Sequence, residues 1–329
     1  MADYRIESRL RDGSYIATLP WLNLQYELGW NKTYDLRFTL PLYHEAVTWA
    51  TLHPGLHEIW CWRNGVLVKA GPLWDANPSS DNASISCGAS DIIDYFDVRL
   101  IDTVDYAAVD QTAIAWGLID DSQDKTDGDL GVVAGTLDTG ITRSASWKSF
   151  DEKYILDALT DFQEMNSGFD FTIDPATRAF HARYPRPQRD NNLRLEYPVS
   201  IRKYSVQFMG KYLRNHIRMS ATDPTYVDAV DTTSRSTYGL REMGDTYRDA
   251  ATVTDLTDYA SKIRDQRKDV KNYPTVMIDP DIIDIFDSNV LQYGDLVQVV
   301  INDGYVNIDE QLRYITAQIS VDKQGFEVV

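Results

Sequence analysis

Five aspartates fall within ten residues near the middle of the chain, Asp120–Asp129. Carboxylate oxygens are the ligands that Ca²⁺ prefers, so this segment could hold a calcium ion. The segment lacks the regular oxygen spacing of an EF-hand loop, and no glutamate occupies its twelfth position. The pattern therefore favours a solvated acidic loop over a calcium site.

A second group of carboxylates lies near residue 280. Glycosidases need two carboxyl groups at a set separation across a sugar-sized cleft. Acidic residues are so frequent in this chain, 50 in 329 residues, that such a pair arises easily by chance. We therefore do not predict catalysis at this group, which consists of Asp279, Asp281, Asp284 and Asp287.

The histidines and cysteines form no recognisable catalytic or metal-binding motif. His53 and His57 have an i, i+4 spacing, but the Pro-Gly pair between them breaks the helix that this spacing requires. Cys61 and Cys87 are the only cysteines, and the pattern indicates two buried thiols in a reducing compartment. No catalytic, cofactor-binding or metal-ligating residue is predicted. The remaining histidines are His44, His181 and His216.

Eight tryptophans could stack on sugars or contact a partner protein. Trp60 and Trp62 lie in an apolar stretch and are expected in the core. Trp21 and Trp49 lie near prolines or predicted loops, where we expect contacts with a partner. A protein interface is favoured over sugar recognition. The other four are Trp30, Trp74, Trp116 and Trp147.

Length and charge limit the classes of function. A chain of 329 residues can form two or more domains, each with its own core. The formal net charge of −18 disfavours nucleic-acid binding, because phosphate contacts require Lys and Arg. The N-terminus lacks the apolar segment of a signal peptide, and no apolar run approaches the roughly 20 residues of a membrane span. We expect the protein to fold in a cytoplasm, without a membrane span.

Two similar hairpins lie near the two ends of the chain. Ile59–Val68 predicts strand, turn and strand around Asn64-Gly65, and Leu296–Val306 predicts the same around Asp303-Gly304. Asn-Gly and Asp-Gly tolerate the positive φ angles of type I′ turns, which makes them strong hairpin signals. A third such signal, Asp12-Gly13, separates two further predicted strands. The sequence therefore predicts β modules at both ends.

Helices are predicted between these modules. Asp105 is expected to cap a helix over 106–119 with Val109, Ala113 and Trp116 on one stripe, and a long loop is expected over 120–140. Ser149 and Glu152 form a capping-box pattern before a second helix, whose apolar side carries Ile155, Leu159, Phe162 and Met165. A hairpin over 169–184 follows, and then a linker over 184–192.

The predicted fold class is α+β and mainly β. We expect a first domain over 1–103, an α+β domain over 104–190 and a third, β-rich domain over 191–329. The third domain is expected to contain long strands over 200–220 and an insertion at about 221–285, with a polar loop over 221–237. The insertion is expected to include a helix over 255–271, with Leu256, Tyr259 and Ile263 on its apolar stripe.

The order of these segments resembles the tail hub proteins of long-tailed bacteriophages, the siphoviruses, especially the minor tail proteins of actinobacterial phages. No single segment is specific, and the resemblance depends on their collinear order along nearly the whole chain. The 120–140 loop and the 255–271 helix have no counterpart in the pattern. The segments that carry it are Gly29–Pro41, Glu58–Gly65, Gly71–Trp74, Asp91–Leu100, Asp151–Ile173, Gly294–Val297 and Arg313–Ile315.

The resemblance implies a structural, non-enzymatic virion protein of the tail tip or baseplate, assembled in the host cytoplasm. Such hubs are homotrimers in which each subunit supplies two similar β-barrel tube-type domains. Three subunits then form a pseudo-sixfold ring that joins the tail tube to the tip. The partners implied are the distal tail protein hexamer, tip or fibre proteins and the tape measure protein. DNA would pass through the lumen without specific binding, since like charge keeps it from adhering.

Two other functions stay open at this point. One is a receptor-binding or carbohydrate-binding tail component, which should expose clustered aromatic side chains on a loop-rich face. The other is a tail-associated cell-wall hydrolase, which should lose peptidoglycan cleavage when a single carboxylate is replaced.

Overall fold

The computed structural model of the chain describes residues 2–138, 140–165, 167–184, 189–221, 225–246, 253–280 and 282–329. The chain forms two compact units. The first contains Met1–Ser200, Ile278–Asn302 and Asn307–Val329, and the second contains Ile201–Met277 and Asp303–Val306. The predicted domain boundaries at 103/104 and 190/191 stay predictions. Residues 185–188 of the predicted linker lie outside the described residues, and its last residues, 190–192, begin a strand instead.

Strands dominate the described residues, so the mainly β prediction is confirmed. In chain order the strands are β1 (Tyr4–Leu10), β2 (Tyr15–Leu19), β3 (Asn23–Gly29), β4 (Leu36–Pro41), β5 (His57–Arg63), β6 (Val66–Ser79), β7 (Ser84–Ala89), β8 (Val104–Asp110), β9 (Val133–Asp138), β10 (Thr142–Trp147), β11 (Asp170–Ile173), β12 (Ala179–Arg183), β13 (Asp190–Glu196), β14 (Ile201–Met209), β15 (His216–Ser220), β16 (Tyr226–Val230), β17 (Glu242–Thr246), β18 (Lys271–Ile278), β19 (Leu296–Asp303), β20 (Val306–Arg313), β21 (Thr316–Asp322) and β22 (Glu327–Val328). The helices are α1 (Gln111–Gln123), α2 (Ile155–Glu164), α3 (Thr232–Tyr238) and α4 (Val253–Arg267), with 3-10 turns at Ile92–Val98 and Ser149–Asp151.

A nine-stranded sheet organises the first unit. Its order is β2-β1-β5-β6-β7-β4-β3-β21-β22, so the C-terminal strands lie beside the N-terminal ones. Strands β2 and β22 are its edges, and the sheet is open among the described residues. Strand β21 pairs antiparallel with β3 over seven residue pairs. The first sheet is therefore complete only when the end of the chain returns to it.

The three predicted hairpins are confirmed. The β5–β6 turn holds Asn64 at φ 49° and Gly65 at φ 79°, the left-handed conformation that this dipeptide tolerates. The Asp12-Gly13 turn joins β1 to β2, and Gly304 at φ 62° lies in the turn from β19 to β20. The last hairpin belongs to a three-stranded sheet of order β13-β19-β20.

The first predicted helix and the following loop are wrong at their boundaries. Residues 104–110 form β8, which pairs with β10, and α1 begins at Gln111. The Asp110 carboxylate accepts the Thr112 N–H at 2.9 Å and caps the helix, whereas Asp105 forms an ion pair with Lys148. Helix α1 continues to residue 123, and β9 lies inside the predicted 120–140 loop. Residues 104–110 and 133–138 form strands because they pair with distant strands, although the local sequence pattern favours a helix and a loop there.

The buried stripe of α1 also differs from the predicted one. Ala113 is exposed, and Val109 and Trp116 are half-buried. The helix also starts five residues later than predicted, at Gln111. The buried apolar residues are Ile114, Ala115, Leu118 and Ile119.

Helix α2 and the hairpin after it are present as predicted, apart from the cap. Ser149 belongs to a 3-10 turn that Asp151 closes by accepting the Lys148 N–H at 2.7 Å, and α2 starts at Ile155. Strands β11 and β12 pair antiparallel, and β9 adds in parallel to β12. The core here is a row of aromatic rings 6.0–6.4 Å apart, formed by Phe162, Phe169, Phe171 and Phe180.

The second unit has its own small core. Its sheet has the order β16-β15-β17, and α4 packs on it through Leu256 and Ala260 against Ile217 and Met219. The predicted helix over 255–271 is therefore confirmed, although it spans Val253–Arg267. The predicted polar loop over 221–237 is wrong, because β16 and most of α3 lie there; its residues 222–224 lie outside the described residues. A separate two-stranded ribbon pairs β14 with β18.

One buried ion pair attaches the C-terminus to the first strands. The Arg63 guanidinium donates to both Glu327 carboxylate oxygens at 2.6 and 2.9 Å. The Tyr4 hydroxyl donates to the same carboxylate at 2.5 Å and lies 2.8 Å from the Tyr26 hydroxyl. Burial alone would raise the pKa of Glu327, but the hydrogen bonds from Arg63 and Tyr4 outweigh it and lower the pKa.

We expect Glu327→Gln to reduce the free energy of unfolding by about 2 kcal/mol at pH 7, because Arg63 would lose its carboxylate in a largely buried site. Urea unfolding followed by tryptophan fluorescence measures the change. Glu45→Gln, at an exposed position, is the matched control.

The same pair predicts a dependence on pH. A carboxyl group whose pKa is lowered by folding stabilises the protein above its unfolded pKa, roughly 4.3, and loses that contribution as the pH falls through the folded pKa. The difference between wild type and Glu327→Gln should therefore shrink below about pH 4. An unchanged difference at about pH 3 would contradict this assignment.

Candidate functional site

The acidic segment that suggested calcium is divided between a helix and a turn. Asp120 and Asp121 belong to α1, and the Asp129 carboxylate accepts the Gly131 N–H at 2.7 Å. Within the described ranges, no three acidic, histidine or cysteine side chains converge closely enough to hold a metal ion. The aspartates are therefore accounted for by a helix surface and a turn.

The carboxylates near residue 280 stabilise turns. The Asp284 side chain accepts the Phe286 N–H at 2.9 Å, and the Asp287 side chain accepts the Asn289 N–H at 2.9 Å. Asp281 lies outside the described residues. These contacts give Asp284 and Asp287 a local structural role.

The histidine and cysteine candidates lie in the core. His57 is buried, its Nδ1 lies 3.1 Å from the Ser8 hydroxyl, and burial lowers its pKa. Ser8 is itself fully buried, so this Ser-His contact offers no reachable nucleophile. Cys61 and Cys87 are buried free thiols, as predicted, and burial raises the pKa of Cys87 to about 12. None of these groups is reactive in this setting.

Trp60 and Trp62 lie over two buried glutamates that sequence reasoning missed. The Trp62 indole N–H donates to Glu7 at 3.0 Å, and the Trp60 indole N–H donates to Glu58 at 3.1 Å. Arg178 forms an ion pair with Glu58 at 2.5 Å. Glu7 therefore joins β1 to β5 within the sheet, and Glu58 connects the sheet to the turn of the β11–β12 hairpin. The two indoles are half-buried, so the expectation that both lie in the core is wrong. The alternation of Arg and Glu along β1 was the only sequence pattern that could have indicated these buried glutamates.

The clearest exposed surface of the first unit is the loop over 42–56, between β4 and β5. Trp49 is 71% exposed, and its ring packs against His53 at a tilt of 41°, with centroids 4.3 Å apart. Tyr43 and Leu56 in the same loop are also exposed. Contact of Trp49 and Trp21 with a partner stays a prediction; Trp21 is half-buried, and its indole N–H donates to the Tyr4 carbonyl.

Internal hydrogen bonds hold the 42–56 loop in one conformation. The Thr51 hydroxyl donates to the Ala46 carbonyl at 2.8 Å and accepts the Thr48 N–H at 2.9 Å. Val47 and Leu52 are buried and anchor the loop. The exposed aromatic side chains are therefore presented at little cost in conformational entropy, as in a binding surface.

The second unit exposes aromatic side chains at the end of its ribbon. Phe208 and Tyr305 meet edge to face with ring centroids 5.9 Å apart, and Tyr212 and Tyr273 line one cavity of about 430 Å³. All four are at least 42% exposed. Sequence reasoning noted many tyrosines but did not locate these. We call Phe208, Tyr212, Tyr273 and Tyr305 the ribbon aromatics.

Comparison with known proteins identifies the fold. No family model matches the chain, and no curated protein matches it. The chain is similar to the crystal structure of a 43 kDa tail protein of prophage MuSo2 from Shewanella oneidensis, with a TM-score of 0.70 and 15% identity over 98% of this chain and 96% of that one. The chain is also similar to the crystal structure of a tail protein from Neisseria meningitidis MC58, with a TM-score of 0.70 and 12% identity over 99% of this chain and 94% of that one.

A third similar structure belongs to a protein complex. A chain of the Francisella PdpA-VgrG complex in its lidded form gives a TM-score of 0.55 and 10% identity, over 100% of this chain and 52% of that one. At these identities the likeness concerns the fold. The chain therefore has the fold of phage tail proteins. None of its described helices is long and apolar enough to cross a membrane.

We expect Trp49→Ala to change the free energy of unfolding by less than about 0.5 kcal/mol, because the ring is mostly exposed. Leu52→Ala in the same loop should cost about 3 kcal/mol, because it leaves a cavity. Urea denaturation of both variants measures the contrast. Equal losses would mean that Trp49 serves the fold and is not free for a partner.

Proposed function

We propose that this chain is a structural tail protein of a bacteriophage, the hub at the distal end of the tail. It assembles as a homotrimeric ring of pseudo-sixfold symmetry. The ring joins the tail tube and the distal tail protein hexamer to tip or fibre proteins and lets DNA pass. The tape measure protein is a further partner, and assembly takes place in the host cytoplasm.

The observation that carries this proposal is the length of the fold match. More than nine tenths of both chains align with each of the two phage tail proteins, so the likeness covers whole proteins. A chain of a VgrG complex has a similar fold, so the same fold also occurs in a second multi-protein complex. This breadth favours a structural component over an isolated binding module.

The placement of the hairpins supports two tube-type modules. The first hairpin lies in the nine-stranded sheet, and the last lies in the β13-β19-β20 sheet. We propose that each sheet is part of a barrel that is completed on assembly. Three subunits would then contribute six similar modules to one ring, which is how threefold assembly imitates sixfold symmetry.

Exposed apolar groups support contacts with other chains. Isolated two-stranded ribbons are marginal in water, yet β14 and β18 are nine and eight residues long and almost unburied. The ribbon aromatics add side chains of the kind enriched in protein interfaces. We propose that the ribbon is covered by a neighbouring subunit in the ring.

Charge supports passage of DNA. The chain carries 50 acidic and 32 basic residues, which gives a formal charge of −18. A negative lumen repels the phosphate backbone and provides no counterion-releasing contacts. We propose that acidic residues line the channel.

A receptor-binding role is the second candidate function. The rigid 42–56 loop with exposed Trp49 favours it, because a fixed aromatic side chain is a frequent anchor in recognition. The same loop would serve a hub equally well as the attachment point for a fibre protein.

Light scattering coupled to size exclusion tests the proposed ring. The purified protein should have three times the mass of one chain. Tyr273→Asp should weaken the trimer about thirtyfold or more, because it places a charge in the proposed interface.

Tyr43→Asp is the matched control, since Tyr43 is also exposed but lies in the 42–56 loop. It should leave the mass unchanged. Circular dichroism and a thermal melt must match wild type for both variants. A monomer at all concentrations, or equal effects of the two variants, would contradict the proposed interface.

A further inference from the structure

The first unit contains a cavity of about 280 Å³ between the β3–β4 turn and the β11–β12 hairpin. Its size is near the lower end of the range for small-molecule sites. One part of its wall is apolar and includes Val68, Ile93 and Phe171. Another part carries an aromatic ring and charged or polar side chains: Trp30, Lys32, Asp91, Asp174, His181 and Arg183. An apolar wall with a few convergent polar groups is the usual composition of a binding pocket.

Asn31 builds this cavity by fixing the turn against the hairpin. Its side-chain amide donates to Asp170 at 2.8 Å, and its side-chain oxygen accepts the Phe171 N–H at 2.9 Å. Its own N–H donates to the Phe171 carbonyl at 3.0 Å, at a left-handed φ of 75°. Trp30 and Lys32 flank this residue. Arg183 lies opposite Asp170 in the backbone register of the hairpin, but the Asp170 carboxylate forms its ion pair with Arg313. Groups about 150 positions apart in sequence thus reach one cavity.

Two cations at the cavity lack carboxylate partners. Neither Lys32 nor Arg183 lies within ion-pair distance of an acidic group among the described residues, although the chain as a whole is strongly acidic. The Lys32 ammonium lies 4.9 Å from the Tyr34 ring centre. The Arg183 guanidinium lies 5.4 Å from the ring centre of Trp30. Aromatic faces hold these charges in place without neutralising them.

One of the two acidic groups of the cavity is neutralised by a cation. Asp91 forms an ion pair with Lys69 at 2.6 Å, whereas Asp174 accepts two backbone N–H groups of its own turn on one oxygen, at 3.0 and 2.7 Å, and keeps its charge. His181 accepts the Thr136 N–H through Nδ1 at 3.1 Å, so its other ring nitrogen carries the proton and is a donor. Among the described residues that line the cavity, two cations without a carboxylate partner, Lys32 and Arg183, therefore face a single unneutralised carboxylate.

We propose that this cavity binds a sugar that carries a carboxylate, of the uronic acid class. The carboxylate would lie between Lys32 and Arg183, because guanidinium and ammonium groups are the usual partners of carboxylates. The apolar side of the sugar ring would lie against Trp30 and the aliphatic wall. The proposal goes beyond the assembly role and does not depend on it.

Isothermal titration calorimetry with the full chain tests this site, because it reports the binding of sugars and of inorganic phosphate alike. Glucuronate should bind with a Kd of about 1 mM or tighter, and glucose and inorganic phosphate should each bind at least about tenfold more weakly. Arg183→Gln should weaken glucuronate binding about tenfold or more, because it removes the planar cation. Lys323→Gln, which removes an exposed charge outside the cavity, is the matched control and should have no effect.

Trp30→Phe is a second variant, chosen because it keeps an aromatic ring and so preserves the fold. It should weaken the binding of glucuronate and leave the binding of phosphate unchanged. A tetramer of galacturonate distinguishes a glycan from a free sugar, because tighter binding of the tetramer identifies a polymer as the source. Equal binding of phosphate and glucuronate, no binding of any uronate, or equal effects of Arg183→Gln and Lys323→Gln would overturn the proposal.

Discussion

The first unit depends on the return of the C-terminal strand to the N-terminal sheet. Strand β21 supplies the hydrogen-bonding partner of β3, and Glu327 provides the carboxylate that pairs with Arg63 beside Tyr4 and Tyr26. Without this return, β3 would be an exposed edge, and Arg63 would be a largely buried charge without a partner. The nine-stranded sheet is therefore built from the two ends of the chain, residues 4–89 and 316–328.

The helices of the first unit pack on its large sheet through one shared apolar core. That core contains Leu67 and Ala70 of β6 together with the aromatic row from Phe162 to Phe180. The buried Glu58 carboxylate also connects the sheet to the turn of the β11–β12 hairpin through Arg178. Exposed groups remain on loops and on the ribbon, where contact with other proteins costs no core packing.

Local signals were sufficient for much of the fold. The Asn-Gly and Asp-Gly turns and the apolar stripe of α2 each depend on near neighbours, and each is present. Pairings between distant segments could not be read from one sequence. The β8–β10 pairing displaced the start of α1, and no pattern marks β21 as the partner of β3. The same limit applies to the sites: Trp49 was located, whereas Glu7, Glu58 and the ribbon aromatics were not.

Electron cryo-microscopy of the purified protein tests the central claim most directly. The account predicts a closed ring of three subunits around a channel, with the hairpins at residues 57–79 and 296–313 in alternating, near-equivalent positions and with acidic side chains facing the lumen. A particle without threefold symmetry, or a channel lined by lysine and arginine, would contradict it.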